Sequence, residues 1–188
     1  MKTQCDSCYL SIFNRSTPDR AGGWSPTSTK SILFIGDSAG MVDCNNQTIF
    51  EGRVTKIVTE YINKYKLNSW SNKTFLIKCY CIEPTEHYAD KCYNHIINII
   101  QKTKPSIIVP IGSFVYKFLK DAKSVSMVKV VNKPIKYNNS ILLPIYSPAY
   151  IIKTKEFEEY DKSFKLISDM FADICKEYRW IKPIFDYD

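Results

Sequence analysis

The segment Ser31-Ile-Leu-Phe-Ile-Gly36-Asp37-Ser38-Ala39-Gly40 is the part of the chain that best indicates the fold. A continuous apolar run that stops at a glycine is typical of a strand buried on both faces of a parallel sheet. Open α/β sheets bind their ligands just beyond the ends of such strands. Glycines there let the backbone approach a ligand, and Asp37 adds a carboxylate. Because the same residues would also suit an ordinary strand–turn–helix junction, the segment alone predicts a buried strand and leaves its function open.

The composition is typical of one globular domain with its own core. The chain has 188 residues, 45% of them hydrophobic and 14% aromatic, and a formal net charge of +7. These values exclude a disordered chain. No apolar run is long enough to span a membrane and the N-terminus lacks an apolar signal segment, so we expect an intracellular, cytoplasmic protein without a membrane partner. The positive charge permits nucleic-acid binding without requiring it.

Apolar periodicity predicts that strands and helices alternate along the chain. The predicted strands cover residues 31–35, 74–78, 106–111 and 140–146, and the predicted helices cover residues 54–65, 86–103, 113–119 and 156–178. The alternation predicts an α/β fold, a three-layer α/β/α sandwich around a mostly parallel four-stranded sheet. Residues 41–50 are predicted to form a loop, and residues 125–137, which include Pro134, an edge hairpin.

No repeat or linker divides the chain, so we expect a single domain over residues 1–188. Residues 1–30 form an N-terminal arm in this prediction, and residues 156–188 form a C-terminal helix and tail. Four predicted strands end in residues suited to a site, namely Gly36-Asp37, Cys79, Gly112-Ser113 and Ser147-Pro148. Because the carboxyl ends of parallel strands share one edge of the sheet, we expect these residues to converge.

Cysteines at four positions could bind a metal. Cys5 and Cys8 lie on the arm, Cys79 follows a strand, and Cys92 lies in the next helix. Four thiolates from two segments can enclose a [4Fe-4S] cluster or a zinc ion, and Cys81 could replace one of them. The spacing alone leaves a cluster, zinc and no metal open. The remaining cysteines, Cys44 and Cys175, are predicted to be buried thiols.

Five segments, in order, resemble the motifs of the iron–sulfur (family four) uracil-DNA glycosylases and their phage polymerase-associated relatives. The family motifs are CxxCxL, GEAPG with PFVG, TN-x-V-K-C with a later cysteine, P-x-I-V-x-L-G, and HPAYLLR. Their counterparts are Cys5-x-x-Cys8-x-Leu10, Gly36-Asp37-Ser38-Ala39-Gly40 with Ile49-Phe50-Glu51-Gly52, Thr74-Phe75-Leu76-Ile77-Lys78-Cys79 with Cys92, the segment from Pro105 to Gly112, and Ser147-Pro148-Ala149-Tyr150-Ile151-Ile152-Lys153. The resemblance covers nearly the whole chain and implies a uracil-DNA glycosylase-like fold.

The resemblance implies a cofactor. It predicts a structural [4Fe-4S] cluster, rather than zinc, on Cys5, Cys8, Cys79 and Cys92, which makes residues 1–30 a cluster-binding arm. It also implies DNA, single- or double-stranded, as a partner, and a phage- or virus-encoded protein that acts in a host cell beside a DNA polymerase or another replication protein.

The resemblance also implies roles for residues of the pocket. Gly36, Ser38, Phe50 and Phe75 would form the base pocket, with Asp37 and Ser147 as catalytic residues. Phe50 would stack on the flipped base, although it would equally suit the core. Phe75 replaces the asparagine that reads uracil, and it has no donor or acceptor. Ser147 replaces the histidine that stabilises the departing uracil anion, and a neutral hydroxyl cannot match that imidazole.

In the family, the segment after HPAY inserts into the duplex. Its counterparts are Tyr150, Ile151 and Ile152, with Lys153 and Lys155 as phosphate contacts or as ordinary solvated lysines. Three functions follow as hypotheses. The first is a DNA-binding accessory protein of replication or repair with lost or strongly reduced base excision. The second is an active glycosylase of altered specificity, and the third is an interaction protein without a DNA contact.

Overall fold

The structure is a computed structural model that describes residues 8–10 and 30–179, apart from the side chains of residues 177–179. The predictions for Cys5, for the arm at residues 1–7 and 11–29 and for the tail at residues 180–188 lie outside the described residues. In the part of the chain that is described, no helix is both long enough and apolar enough to cross a membrane.

Strands and helices alternate along most of the chain, as predicted. The elements are β1 (Ile32–Ala39), α1 (Met41–Asn46), α2 (Lys56–Lys64), β2 (Ser71–Tyr80), α3 (Glu86–Thr103), β3 (Ile107–Pro110), α4 (Ser113–Lys120), α5 (Met127–Val130), β4 (Ile135–Tyr137), β5 (Ser140–Leu142), α6 (Pro148–Thr154) and α7 (Phe157–Arg179), with a 3₁₀ turn at Asn68–Trp70.

The sheet has the strand order β2-β1-β3-β5-β4. Strands β2, β1, β3 and β5 run parallel to one another, and β4 pairs antiparallel with β5 at the edge. The chain leaves β1 toward β2 on one side and then returns to β3 on the other. The strand order therefore reverses between β1 and β3, which is where open α/β sheets bind ligands.

Helices cover both faces of the sheet, which confirms the predicted α/β sandwich. Along β1, Ile32 and Phe34 belong to one core cluster, and Leu33 and Ile35 to a second on the opposite face. Residues of α2, α6 and α7 complete the first cluster, and residues of α3 and α4 complete the second. All four β1 side chains are fully buried, which is why the strand reads as a continuous apolar run.

The structure corrects three local predictions. The sheet has five strands, because the edge hairpin pairs β4 with β5 and residues 125–137 supply only one of its strands, together with α5. Asn138 in its two-residue turn has φ of 51°, a left-handed conformation that asparagine tolerates. Residues 41–50, predicted as a loop, contain helix α1. Helix α6 was also not predicted, although Ser147 is its N-cap and Pro148 its first residue.

Gly112, between β3 and α4, provides a test of this packing. Its φ is +90°, a conformation that favours glycine, and an added Cβ would lie 3.2 Å from Cβ of Ser147. We expect Gly112→Ala to lower the free energy of unfolding by about 1–3 kcal/mol, measured by urea denaturation. The exposed neighbour Ser113 supplies the control, because Ser113→Ala should change it by less than about 0.5 kcal/mol. Equal midpoints for the two variants would contradict the close contact.

Candidate active site

A cleft of about 360 Å³ lies at the carboxyl edge of the sheet. Residues at or just after the ends of four strands line it, namely Gly36, Asp37, Tyr80, Cys81, Ile111 and Ser147. The structure thus brings together Gly36-Asp37 and Ser147-Pro148 as predicted, whereas Cys79, Gly112 and Ser113 do not line the cleft and their neighbours Tyr80, Cys81 and Ile111 do. The cleft lies where the strand order reverses, between β1 and β3.

Asp37 projects from the last part of β1 into this cleft. Its Oδ1 accepts a hydrogen bond from the backbone N–H of Ser38 at 2.7 Å. Burial raises the pKa of the Asp37 carboxyl above its ordinary value, and the backbone hydrogen bonds oppose that rise only in part. A carboxylate with a raised pKa is a better proton acceptor once ionised, so Asp37 is suited to take a proton from a water molecule.

Phe50 forms part of the cleft wall and part of the core. It has φ of 60°, which is uncommon for a phenylalanine, and its side chain is 1% exposed. The Thr59 hydroxyl donates a hydrogen bond to the Phe50 carbonyl at 3.0 Å and so helps to hold this backbone conformation. The two roles predicted as alternatives for Phe50, cleft residue and core residue, are therefore combined in one position.

Phe75 lies behind the cleft wall. It is the β2 neighbour of Gly36, is fully buried, and does not line the cleft. Its ring meets the Phe50 ring edge to face, with the ring centroids 4.9 Å apart. The β2 position at which the family carries its base-reading amide therefore offers the cleft no hydrogen-bonding side chain, and its ring supports Phe50 instead.

Ser147 lines the cleft from the opposite side and caps α6. Its Oγ accepts a hydrogen bond from the backbone N–H of Tyr150 at 3.3 Å. The hydroxyl proton stays available for donation into the cleft. No histidine can add to it, because the two histidines of the chain, His87 and His95, are both on α3 and do not line the cleft.

Asp43 on α1 is a cleft residue that the sequence reasoning missed. The side chain is fully buried, and its Oδ1 accepts hydrogen bonds from the N–H groups of Glu51 at 2.8 Å and Gly52 at 3.3 Å. Its Oδ2 has no partner among the described residues. Added Cβ atoms at Gly40 and Gly52 would lie 3.2 and 2.9 Å from Oδ2. An acidic residue between these two glycines in the sequence could have indicated the site. It was not singled out because residues 41–50 were predicted to be a loop.

The mouth of the cleft is largely apolar. Met41, Val42 and Val54 line it and have exposed fractions of 55%, 44% and 41%. Arg53 lies among them and is also exposed. This surface was not predicted either, since Met41 and Val42 lie in the segment predicted to be a loop, and Val54 was predicted to belong to a helix that begins only at Lys56.

Three of the four predicted cluster cysteines are described, and all three are buried. Cys8 and Cys79 share the core cluster on the α3 side of the sheet, and Cys92 follows Ala89 of that cluster by one turn of α3. Buried thiols fit an iron–sulfur cluster in their chemistry. Within residues 8–10 and 30–179, which exclude Cys5, no three His, Cys, Asp or Glu side chains are arranged to hold a metal ion.

The other cysteines lie elsewhere. Cys44 is buried in the core on the α2 side, as predicted, whereas Cys175, which was also predicted to be buried, is only partly buried against that core. Cys81 is half-buried, lines the cleft, and donates a hydrogen bond from its Sγ to the Glu83 carbonyl at 3.1 Å.

Helix α6 carries the residues predicted to contact DNA. Tyr150, Lys153 and Lys155 are exposed, and the Tyr150 ring stacks on Tyr146 with the centroids 4.6 Å apart. Ile151, however, is fully buried in the core. The structure thus corrects the prediction that Ile151 contacts DNA, because its side chain anchors α6 to the sheet.

Ile152 also lies on α6, and its apolar side chain is 44% exposed. Acidic residues lie close by: Glu156, Glu158 and Glu159 line a groove together with Tyr150 and Lys155. The charge near the predicted phosphate contacts is therefore mixed.

Comparison with known proteins agrees with this geometry. The family model of the uracil DNA glycosylase superfamily matches residues 23–174 of the chain. The chain is 24% identical over 169 residues to a type-4 uracil-DNA glycosylase of Thermotoga maritima, covering 82% of the chain and 81% of the relative. It is also 24% identical over 151 residues to a type-4 uracil-DNA glycosylase of Archaeoglobus fulgidus, covering 74% and 76%. With its α/β fold and its cleft at the carboxyl edge of the sheet, the chain belongs to the uracil DNA glycosylase superfamily.

Proposed function

We propose that this uracil-DNA glycosylase-like protein binds DNA, has lost most of the family's activity on uracil, and acts as an accessory protein in repair or replication. The observation that carries the proposal is the place of Phe75, fully buried behind Phe50 at the position expected to read the base. A phenylalanine gives no hydrogen bond to a uracil edge. A site that leaves the polar edge of a base without hydrogen bonds loses affinity for that base and discrimination between bases.

Ser147 supports the same conclusion for the chemical step. Breaking the bond between uracil and its sugar leaves negative charge on the base, and a donor aimed at that charge stabilises the transition state. The Ser147 hydroxyl is one neutral donor, and its oxygen is already engaged in capping α6. Loss of one such donor typically costs about a hundred- to a thousandfold in rate.

Asp37 is the predicted catalytic residue whose chemistry this chain still has, because its side chain is a carboxylate. Its raised pKa and its place in the cleft suit it to take a proton from an attacking water molecule. The retained carboxylate favours a second candidate, an active glycosylase of altered specificity.

Contact with DNA is proposed for the surface around α6 and the cleft mouth. Lys153, Lys155 and Arg53 are exposed there and would meet phosphates, with Tyr150 and Ile152 against the bases. The groups that contact DNA would thus surround the mouth through which a flipped base enters.

A [4Fe-4S] cluster is proposed on Cys5, Cys8, Cys79 and Cys92. The burial of the three described thiols supports it, as does the apolar cluster that Cys8 and Cys79 share. When bound, the cluster supplies a structural link between the N-terminal arm, β2 and α3. The four cysteines would hold it by thiolate ligation, and the proton transfer proposed for Asp37 does not involve it.

The first prediction concerns uracil excision. On uracil-containing single- and double-stranded DNA, we expect release of uracil at least about a hundredfold slower than by the Thermotoga maritima relative assayed in parallel. The double variant Phe75→Asn/Ser147→His should gain activity, because it restores a base-reading amide and an imidazole donor. The matched control, Phe75→Leu/Ser147→Ala, should gain none. Robust uracil release by the unmodified protein would contradict the proposal.

The second prediction concerns phosphate contacts. Affinity for duplex DNA should fall with salt, and Lys153→Ala and Lys155→Ala should each reduce the slope of log K against log salt by about one. Lys165→Ala, on the exposed side of α7, should leave the slope unchanged. Affinity that is independent of salt would contradict phosphate contacts and favour a protein that binds other proteins only.

The third prediction concerns the cluster. Protein purified without oxygen should contain about four iron atoms per chain and absorb visible light, as thiolate-bound clusters do. Cys92→Ser should lose most of the iron, whereas Cys175→Ser, on the other side of the sheet, should keep it. A colourless protein that contains zinc in place of iron would exclude the cluster.

A further inference from the structure

We propose that the cleft binds and excises positively charged, N-alkylated bases of DNA. This inference rests on the proposed function, because it assumes that a base flipped out of DNA enters this cleft. It assigns a substrate class to the altered specificity and explains why the groups suited to uracil are missing while Asp37 is kept.

The side chains that line the cleft include two carboxylates. Asp37 and Asp43 both line the cleft, and the cation among the lining residues, Arg53, is exposed at the mouth. Asp43 is fully buried, with Oδ1 bonded to two backbone N–H groups and Oδ2 without a partner among the described residues. Buried carboxylates are normally paired with a cation or a metal. A cationic ligand in the cleft would lie next to this carboxylate and offset the cost of its burial.

Aromatic side chains form part of the cleft wall. Phe50 and Tyr80 both line the cleft, and Phe75 supports Phe50 from behind. A cationic ring is attracted to aromatic faces, and this attraction needs no donor or acceptor at the β2 position. Phe75 is therefore compatible with a cationic base, although it is not compatible with reading the polar edge of uracil.

The chemistry of the leaving group also favours a cationic base. In hydrolysis, the oxygen of water forms a bond to C1′ of the sugar, and Asp37 takes the proton of that water and returns it to solvent. The bond from C1′ to the base nitrogen breaks, and its electron pair stays with the base. An N-alkylated base already carries a positive charge, so this pair makes it neutral. The step then needs no strong donor for a departing anion, and the weak donor Ser147 is sufficient.

A matched pair of ligands tests the charge preference. The full-length protein with its native metal content would be titrated with 7-methylguanosine and with guanosine below neutral pH, where the methylated ring is cationic, and followed by calorimetry. We expect 7-methylguanosine to bind about tenfold more tightly. Asp43→Asn should bring the ratio close to one, because asparagine keeps the acceptor for Glu51 and Gly52 and loses the charge. Equal binding by the unmodified protein would overturn the inference.

Two controls separate charge from folding. Asp169→Asn removes an exposed carboxylate of α7 and should keep the preference. Thermal melting would check that Asp43→Asn folds. If it does not, Asp37→Asn replaces it in the titration and should lower the same ratio.

Release of bases is the decisive measurement. DNA treated with a methylating agent contains 7-methylguanine and 3-methyladenine, and released bases would be separated by chromatography beside a uracil-containing substrate. We expect release of alkylated bases at least about tenfold faster than release of uracil, and none with Asp37→Asn. Failure to release either alkylated base at an excess of protein overturns this inference whatever the binding result. Robust uracil release would instead overturn the proposed function, so the two failures are distinguishable.

Discussion

The close contact of Gly36 with two phenylalanine rings is the constraint on which the cleft depends. An added Cβ at Gly36 would lie 2.9 Å from Cε1 of Phe50 and 3.0 Å from Cδ1 of Phe75. The missing side chain lets both rings pack against β1, where they meet edge to face. Gly36 directly precedes Asp37, so this contact lies next to the carboxylate that lines the cleft. Any larger residue would have to displace one of two fully packed rings.

Much of the fold follows from local patterns in the sequence. The buried strands β1 and β3 were predicted because their side chains face two cores, which makes each a continuous apolar run. The other two parallel strands are less regular: β2 was predicted over residues 74–78 and spans Ser71–Tyr80, and β5 was predicted over residues 140–146 and spans Ser140–Leu142. The long helices α3 and α7 were predicted from their apolar stripes. The helices α1 and α6 were not predicted, because at six and seven residues they are too short to show a period, and the three-residue strand β4 was predicted only as part of an edge hairpin over residues 125–137. Tertiary contacts, such as burial of Ile151, decide these elements.

The candidate site was predicted in part, for a related reason. The strand ends converge because parallel topology requires it, so Gly36, Asp37 and Ser147 could be placed together from the sequence. Asp43 could not, because its importance comes from backbone groups eight and nine residues later that fold back onto its carboxylate. Likewise, Phe75 was predicted to form part of the base pocket, and the structure corrects this, because Phe75 does not line the cleft. Only the packing against Phe50 places it behind the wall.

The pocket residues are best explained together, as one change of chemistry. An apolar residue in place of a base-reading amide and a hydroxyl in place of an imidazole both remove donors, which a neutral base needs when it leaves as an anion. The carboxylates of the cleft have the opposite effect, because they repel an anion and attract a cation. Asp43 is fully buried, with one oxygen that has no partner among the described residues, and such a group lowers stability unless a ligand offsets the cost. The presence of this carboxylate beside an aromatic wall therefore favours a changed ligand over the loss of all binding.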